Sequence, residues 1–553
     1  MIGGSLAGMC AARVLSDFVD TVTIIERDAY PAAHDFRPGV PQARHVHNLL
    51  ARGLREFEGF FPGFERRMRE RGAVAVESGW DVATLWPHGW SPRTHTGLWQ
   101  LYASRPLIES TVLELCRGLH KVTFLERTEV TALRAAGETQ RYCTGVEVLA
   151  RDDGSTRTLD ADFVVDASGA HSRAAEWLRR LELEVPEDEI VDGYNGYSSR
   201  WFRLESAQAW PPEWWWKVVF LRLATPEQPY VIAVFPIEHQ RWLLSYIGVN
   251  KAYPPSREDQ FTAALAKLAS PVVQEMVRRM EPISPVYPSR ATRNRWRHYE
   301  RWRRPLGRFV AIADAACAYN PRFGQGMSAA AVSARILKDC LAKYGVGHPR
   351  LPDRFFAAQA HFQRTPWLFA AADDLRFPAT LGTRSVSVRL FNWYRLQVAA
   401  CANKQVGARL SEVTQFVRPL SALFAPQIVS RVEGVSELWI CYPLTEEETH
   451  QYGVRGAMMT QVLHCPYCHE TDIVRHGKSP EGKQRYRCRQ CLEGDGRTFL
   501  LEYAYAGQSP AIKQQIVDRA MNASGMRDTA RVLHVSPTTV LKELKKKNLS
   551  SST

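Results

Sequence analysis

Four cysteines near the C-terminal end, Cys465, Cys468, Cys488 and Cys491, form two Cys-x-x-Cys pairs with 19 residues between them. Each pair can offer two thiolates to one tetrahedral ion, and the two together complete a structural Zn2+ site. Four unligated thiols are the weaker alternative. His464 and His469 flank the first pair, but four sulfurs already fill the coordination sphere, so neither is assigned as a ligand. At the opposite end, MIGGSLAGMCAARVL followed by TVTIIERD places Gly3, Ser5, Gly8 and Glu26 where a dinucleotide would be gripped. Gly3 makes the tight turn, Gly8 lets helix and strand approach closely, and Glu26 at the strand end accepts ribose hydroxyls. Ser5 stands at the middle glycine position and is small enough for the backbone to approach a pyrophosphate.

These residues need elements to hold them. The spacing predicts a helix from about Leu6 to Phe18 and a β-branched strand ending at Glu26. Only Met1 and Ile2 precede Gly3, so part of a central parallel strand is expected to be missing, exposing core at a cost of several kcal/mol. A second buried strand, Phe163 to Asp166, breaks at Ala167-Ser168-Gly169. A third, Phe309 to Ala313, leads to Asp314 and a loop from Pro321 to Gly326 that opens an alanine-rich helix. The three turns can converge on one cofactor. Between Arg179 and Pro305, tryptophan-rich segments with alternating apolar residues predict antiparallel strands roofing the site. Trp210, Trp214, Trp215 and Trp216 read more strongly as sheet core than as the lining of a pocket for a flat substrate.

The chain has 553 residues, enough for several packing units, and no apolar run approaches the roughly 18 to 20 residues of a bilayer span. No secretory signal is visible, so cytoplasm is the expected location. Seven of the 11 cysteines are scattered singly, which argues for reduced thiols plus one metal site instead of a disulfide framework. The net charge is +13, and from residue 459 onward there are 15 Lys and Arg against 9 Asp and Glu. That local excess suits a polyanionic partner.

Over roughly residues 1 to 440 the arrangement resembles the FAD-dependent monooxygenases of the aromatic-hydroxylase and squalene-epoxidase type. The family's Gly-Asp-Ala and Pro-x-x-Gly-Gln-Gly stand here as Ala313-Asp314-Ala315 and Pro321-Arg322-Phe323-Gly324-Gln325-Gly326. The resemblance implies that Asp166 and Asp314 serve cofactor turns, Asp314 at the ribityl or pyrophosphate region, and that Gly324 to Met327 faces the flavin pyrimidine. There the positive end of the following helix would favour negative charge. It also implies arginines near the flavin or its phosphates, for which Arg37, Arg44 and Arg105 are the candidates. His45 and His47 read as structural or solvent-facing residues and not as catalytic ones. No catalytic base emerges, because the flavin and oxygen carry the oxidising chemistry and the protein supplies orientation and water exclusion. NAD(P)H would visit transiently. No tryptophan motif marks a flavin halogenase.

After a connector at Ala506 to Pro510, AIKQQIVDRAMNASGMRDTARVLHVSPTTVLKELKKK has helix-turn-helix grammar: an apolar face, a break at Gly525, and a capped third helix at Ser536-Pro537. Arg527, Arg531, Thr538, Thr539, Lys542, Lys545 and Lys546 are the candidate DNA contacts. From about Met459 to Lys547 the segment resembles the InsA-type protein of insertion elements, which implies binding to the element's terminal repeats. Nothing after Lys547 supplies the acidic residues of strand transfer, so the chain is expected to bind DNA without cutting it.

The expected fold class is α/β: a Rossmann-like FAD/NAD(P)-binding domain with an inserted β-sheet substrate layer, then a zinc ribbon and a helix-turn-helix. The expected divisions are 1–180 and 306–349 for FAD, 181–305 for the β layer, 350–457 helical, 459–505 ribbon and 506–553 helix-turn-helix. The expected function is a flavin monooxygenase-like region, acting on an apolar or aromatic compound, fused to a DNA-binding module. The alternative is an inactive flavoenzyme half joined to a DNA-binding protein of transposition or its repression.

Overall fold

The computed structural model describes residues 1–433 apart from 32–34, 88, 138–140, 205–209, 212–213, 226, 291, 384–396, 398 and 402, together with 473–478, 484–488 and 498–500. The chain divides into two compact units, Met1–Val435 and Ser436–Thr553.

The first unit is built on short buried parallel strands. Val22–Ile25 pairs with Val122–Leu125, and Val164–Asp166 pairs with Phe309–Ala311. Ile2 joins the two pairs by parallel bridges to Ile25 and Asp166. Ile2 N–H donates to Val165 O at 2.8 Å and Gly3 N–H to Ile25 O at 2.9 Å, while Ala167 and Ile25 N–H donate back to Ile2 and Met1 carbonyls. The expected exposure of core beside so short a central segment does not occur: Val22, Ile24, Ile25, Val164 and Val165 are all at most 5% exposed. Helices Leu6–Leu15 and Gly326–Tyr344 pack together over this core and cover it. The first helix stops three residues before its expected end, where the last turn tightens through Asp17 N–H to Val14 O at 3.2 Å and Phe18 N–H to Leu15 O at 2.8 Å.

The second layer is an eight-stranded sheet. Its centre is antiparallel, Gly196–Leu204, Arg241–Gly248, Tyr230–Ile237 and Val218–Arg222 in that spatial order, and Val82–Trp86 then adds parallel to Val218–Arg222. Side-chain alternation gives it two different faces. Val219, Leu221, Ile232, Val234 and Leu244 face helices Glu258–Leu265 and Val272–Arg278. Trp210, Trp214 and Trp216 pack with this same cluster and against one another and Trp242. They are therefore core on the far side of the sheet, in keeping with the sequence expectation. Trp215 is 37% exposed, with Arg93 over its ring. The opposite face carries Phe220, Arg222, Ala233, Phe235 and Ile247.

In the second unit, Ile473–Lys478, Gln484–Cys488 and Thr498–Leu500 form a three-stranded antiparallel sheet in which Cys488 pairs with Ile473. The strand expected to return the second cysteine pair, QRYRC, is the central one. Cys465, Cys468 and Cys491, and the predicted helices with Arg527, Arg531, Thr538, Thr539, Lys542, Lys545 and Lys546, lie outside the described residues.

Candidate functional site: three turns and a cavity

The three predicted turns meet at one end of the parallel strands. Gly3 has φ +91°, and a side chain on Gly8 would bring its Cβ to 1.9 Å from Gly3 O, so both glycines are required by geometry. Ser5 precedes the first helix without capping it; its hydroxyl instead accepts from Arg105 Nη2 at 2.7 Å. The uncapped N–H groups at that helix start, and those at Gly326–Tyr344 where Gln325 gives no cap, are suited to anionic or carbonyl oxygens. Cβ atoms added at Gly169 and Gly326 would meet nothing within 4 Å, so both turns border open space.

Asp166 is fully buried and accepts from Ser168 N, Ser168 Oγ and Ser172 Oγ, which fixes the second turn; burial pushes its carboxyl up. Arg297, 2% exposed, ties the second turn to the third by donating to Ala170 O at 2.9 Å and Ala315 O at 3.0 Å. Asp314 differs. No described group donates a hydrogen bond to its carboxylate, and burial pushes it up to about 6 against the pull of Arg105 and Arg297. A carboxylate left with free lone pairs beside two uncapped helix starts fits a ligand that brings hydroxyl donors together with phosphates. FAD has both.

Ala313 carries φ +53°, a left-handed conformation that costs an L-residue roughly 1–2 kcal/mol. The family's glycine at this position would avoid it. We expect Ala313→Gly to stabilise the first unit by about 0.5–1 kcal/mol after the extra chain entropy of glycine is deducted, read as a higher denaturant midpoint.

The loop Pro321 to Gly324 is fastened from behind. Arg322 forms ion pairs with Asp373 and Asp374, and Asp374, with no exposed surface, also accepts from Asn195, Asn294 and Asn320 at 2.9, 2.7 and 2.6 Å. In front of this loop lies a cavity of ≈ 170 Å3, bounded on the other side by the Phe220, Arg222 and Phe235 face of the sheet and by Leu410, Ser411, Thr414 and Gln415.

The three candidate arginines separate clearly. Arg105 lies beside Ser5 and acts electrostatically on Asp314, and its Nε pairs with Glu109 at 3.3 Å. Arg37 is spent on Glu26, Asp28 and Glu109, and so braces the strand end that carries Glu26. Glu26 also accepts the Gly4 and Asp28 N–H groups at 2.8 and 3.0 Å. Arg44 lies over Phe36 and Tyr287, at 4.9 and 5.3 Å from the ring centroids. His45 Nδ1 is 2.8 Å from Ser199 Oγ, and His47 Nδ1 donates to His45 O at 2.9 Å, since a carbonyl can only accept. Burial holds His45 down at about 4 and His47 at about 3, so both are neutral at pH 7. Sequence reasoning missed Arg222, Arg297 and the Asp374 network. A lone arginine in the apolar run VVFLRL was the one available signal for the first of these.

Parallel strands with three nucleotide-facing turns, roofed by a large sheet over a cavity, define a flavoprotein monooxygenase fold. The chain belongs to the FAD binding domain family, whose model matches residues 1–349, and it carries an InsA N-terminal domain at 458–492 and an InsA C-terminal domain at 503–548. It is 32% identical over 386 residues to Protein Rv3254 of Mycobacterium tuberculosis, covering 68% of this chain and 80% of that protein. It is 43% identical over 83 residues to the insertion element iso-IS1N protein InsA of Shigella dysenteriae, covering 15% of this chain and 88% of that one. Among solved structures, the flavin-dependent brominase Bmp2 triple mutant aligns with a TM-score of 0.55 at 15% identity, covering 78% of this chain and 98% of that one. The tetrameric form of 2-methyl-3-hydroxypyridine-5-carboxylic acid oxygenase aligns with a TM-score of 0.52 at 15% identity, covering 75% and 96%. At these identities the likeness is one of fold. The chain is thus a FAD-dependent monooxygenase-like region fused to InsA-like insertion-element domains. No described helix is long and apolar enough to cross a membrane.

Proposed function

We propose that the first unit binds FAD and oxygenates a small aromatic or apolar compound, with NAD(P)H as a transient electron donor, and that the second unit holds one Zn2+ and binds the terminal repeats of an insertion element. The observation that carries the enzymatic half is the cavity wedged between the Pro321–Gly324 turn and an aromatic sheet face. Gly3, Ser5, Gly8, Glu26 and Arg105 would hold the adenosine and pyrophosphate part of the cofactor, Asp166 would shape the second turn, and Asp314 would accept a ribityl hydroxyl. Gln325, Gly326 and Met327 would present N–H groups at the helix start to the flavin pyrimidine, and Gly324, whose own N–H donates to Pro321 O, would shape the turn that faces it. Bound there, FAD supplies the redox and oxygen chemistry. The protein's part is to orient the substrate and exclude water, for which Phe220, Phe235 and Tyr102 provide the walls.

The test is oxygen incorporation. With FAD-saturated protein, NAD(P)H and 18O2, at least one compound in a panel of phenols, aromatic acids and alkenes should accelerate NAD(P)H oxidation and leave with one labelled oxygen. Acceleration without label would reassign the unit to reductase or oxidase chemistry, and no acceleration across the panel would remove the monooxygenase reading. For the DNA half, Cys465, Cys468, Cys488 and Cys491 are the proposed ligands, with Arg527, Arg531, Thr538, Thr539, Lys542, Lys545 and Lys546 at the DNA.

A further inference from the structure

Asp374 is the last residue of the helix Leu351–Asp374, directly after Asp373, and it has no exposed surface. Neither circumstance favours a carboxylate, because a helix C-terminus carries partial negative charge and a buried carboxylate has lost its water. The fold answers with four donors. Oδ1 accepts from Asn195 Nδ2 at 2.9 Å and from Arg322 Nη1 at 3.2 Å, while Oδ2 accepts from Asn294 Nδ2 at 2.7 Å and Asn320 Nδ2 at 2.6 Å. A carboxylate has about four acceptor sites, so this one is saturated.

The donors come from both sides of the cavity. Asn320 caps the short turn Pro321–Phe323 by accepting from Arg322 N–H at 3.0 Å, and Pro321, Arg322, Phe323 and Gly324 line the cavity. Asn195 stands immediately before the strand Gly196–Leu204, two residues ahead of Tyr197, whose register partner Ile247 lines the sheet wall. Asn294 belongs to another strand, Asn294–Trp296, and its Oδ1 accepts the Asn320 N–H at 2.7 Å. Gly193 leaves the space that the carboxylate fills, since a Cβ there would stand 2.6 Å from Asp374 Oδ1. One side chain therefore ties the turn to the sheet.

Resting on the reading that this turn faces the flavin and that the cavity takes the substrate, we propose that Asp374 is a positioning residue. It fixes the gap between the Pro321–Gly324 turn and the large sheet, and through that gap the size of the ring held against the flavin. A volume of ≈ 170 Å3 is on the scale of one aromatic ring, since an apolar cavity of about 150 Å3 takes a benzene. A modest widening is then enough to admit a second ring. Asp374→Asn keeps the shape of the side chain, but its amide nitrogen turns N–H groups toward two of the four donors, so part of the tie must let go.

The experiment uses the full-length FAD-loaded protein with phenol and 2-naphthol as probes, titrated by the change in flavin absorbance. The parent should bind phenol about tenfold or more tightly than 2-naphthol, and in Asp374→Asn that preference should shrink to about threefold or less while FAD is retained. Asn195→Ala removes only the arm to the sheet and should shrink the preference in the same direction; it carries the test if Asp374→Asn does not fold. Met68→Ala, at a buried position outside the cavity lining, is the calibration: it should lower the melting temperature and keep the phenol preference. An Asp374 that served stability alone would behave in the same way as Met68. A parent that binds neither probe or prefers 2-naphthol would overturn the proposal. So would a preference that survives in Asp374→Asn, or in Asn195→Ala where Asp374→Asn does not fold, or one lost equally in Met68→Ala. The two readings fail separately: ring-size selectivity that depends on Asp374 without labelled product defeats the monooxygenase reading alone, while labelled product with a selectivity indifferent to Asp374 and Asn195 defeats the positioning role alone.

Discussion

FAD should bind the FAD-free protein progressively more weakly as the pH falls below about 6, by up to about tenfold per pH unit, and Asp314→Asn should abolish that dependence. The expectation follows from one carboxylate. Burial raises Asp314 to about 6 in the absence of ligand, so the group is largely neutral below that pH and ionised above it. To accept a hydrogen bond from a ribityl hydroxyl as a carboxylate it must be ionised, so binding below pH 6 releases a proton. Linkage then makes affinity rise with pH until about 6 and level off beyond it. The sign would reverse if Asp314 bound as the neutral acid and donated to a phosphate. An asparagine amide cannot titrate and offers a weaker acceptor, so the Asp314→Asn variant should bind FAD about 10- to 100-fold more weakly at pH 8, the range of one hydrogen bond to a charged group. Fluorescence quenching of FAD between pH 5 and 8 reads both effects. A flat profile in the parent protein would remove Asp314 from the cofactor, and a rising affinity toward low pH would invert its role.

Asp314 was legible in the sequence because its neighbours are constrained by backbone shape: a strand must end and a glycine-bearing loop must open a helix, and both leave spacing signatures. The same reasoning located Gly3, Gly8 and the central ribbon strand Gln484–Cys488. It failed where partners are remote. Arg37 and Arg105 look alike in sequence and both pair with Glu109, yet Arg37 is held there together with Glu26 and Asp28, while Arg105 also reaches Ser5 at a distance of 100 residues. Nothing local distinguishes them. Arg222 was missed for a related reason. Both faces of the large sheet are apolar, so hydrophobic alternation does not say which face is core and which is cavity. Only the packing of Glu258–Leu265 and Val272–Arg278 onto the Val219 face decides it, and the same packing puts Trp210, Trp214 and Trp216 away from the cavity.

Cys488→Ser should abolish specific DNA binding and leave FAD binding intact. The ribbon's described strands are six, five and three residues long, too little sheet to bury a self-sufficient core. Small modules of this kind are held by their metal, and the free energy of metal binding is then the free energy of folding. Cys488 closes the central strand, paired to Ile473, so a ligand lost here detaches the second Cys-x-x-Cys pair from the sheet that presents it. Serine has nearly the size of cysteine but is a poor zinc ligand at neutral pH, which makes the substitution a test of ligation instead of packing. The expected readings are zinc content falling from one per chain toward zero and affinity for a terminal-repeat duplex falling at least about 100-fold, to the level of a scrambled duplex at the same salt. FAD content should not change, because Gly3, Arg105 and Asp314 belong to the other compact unit. Adding a chelator to the parent protein should reproduce the loss, and restoring Zn2+ should reverse it in the parent only. Undiminished duplex binding by Cys488→Ser would show that the two cysteine pairs do not share an ion, and a simultaneous loss of FAD would show that the two units depend on each other for folding.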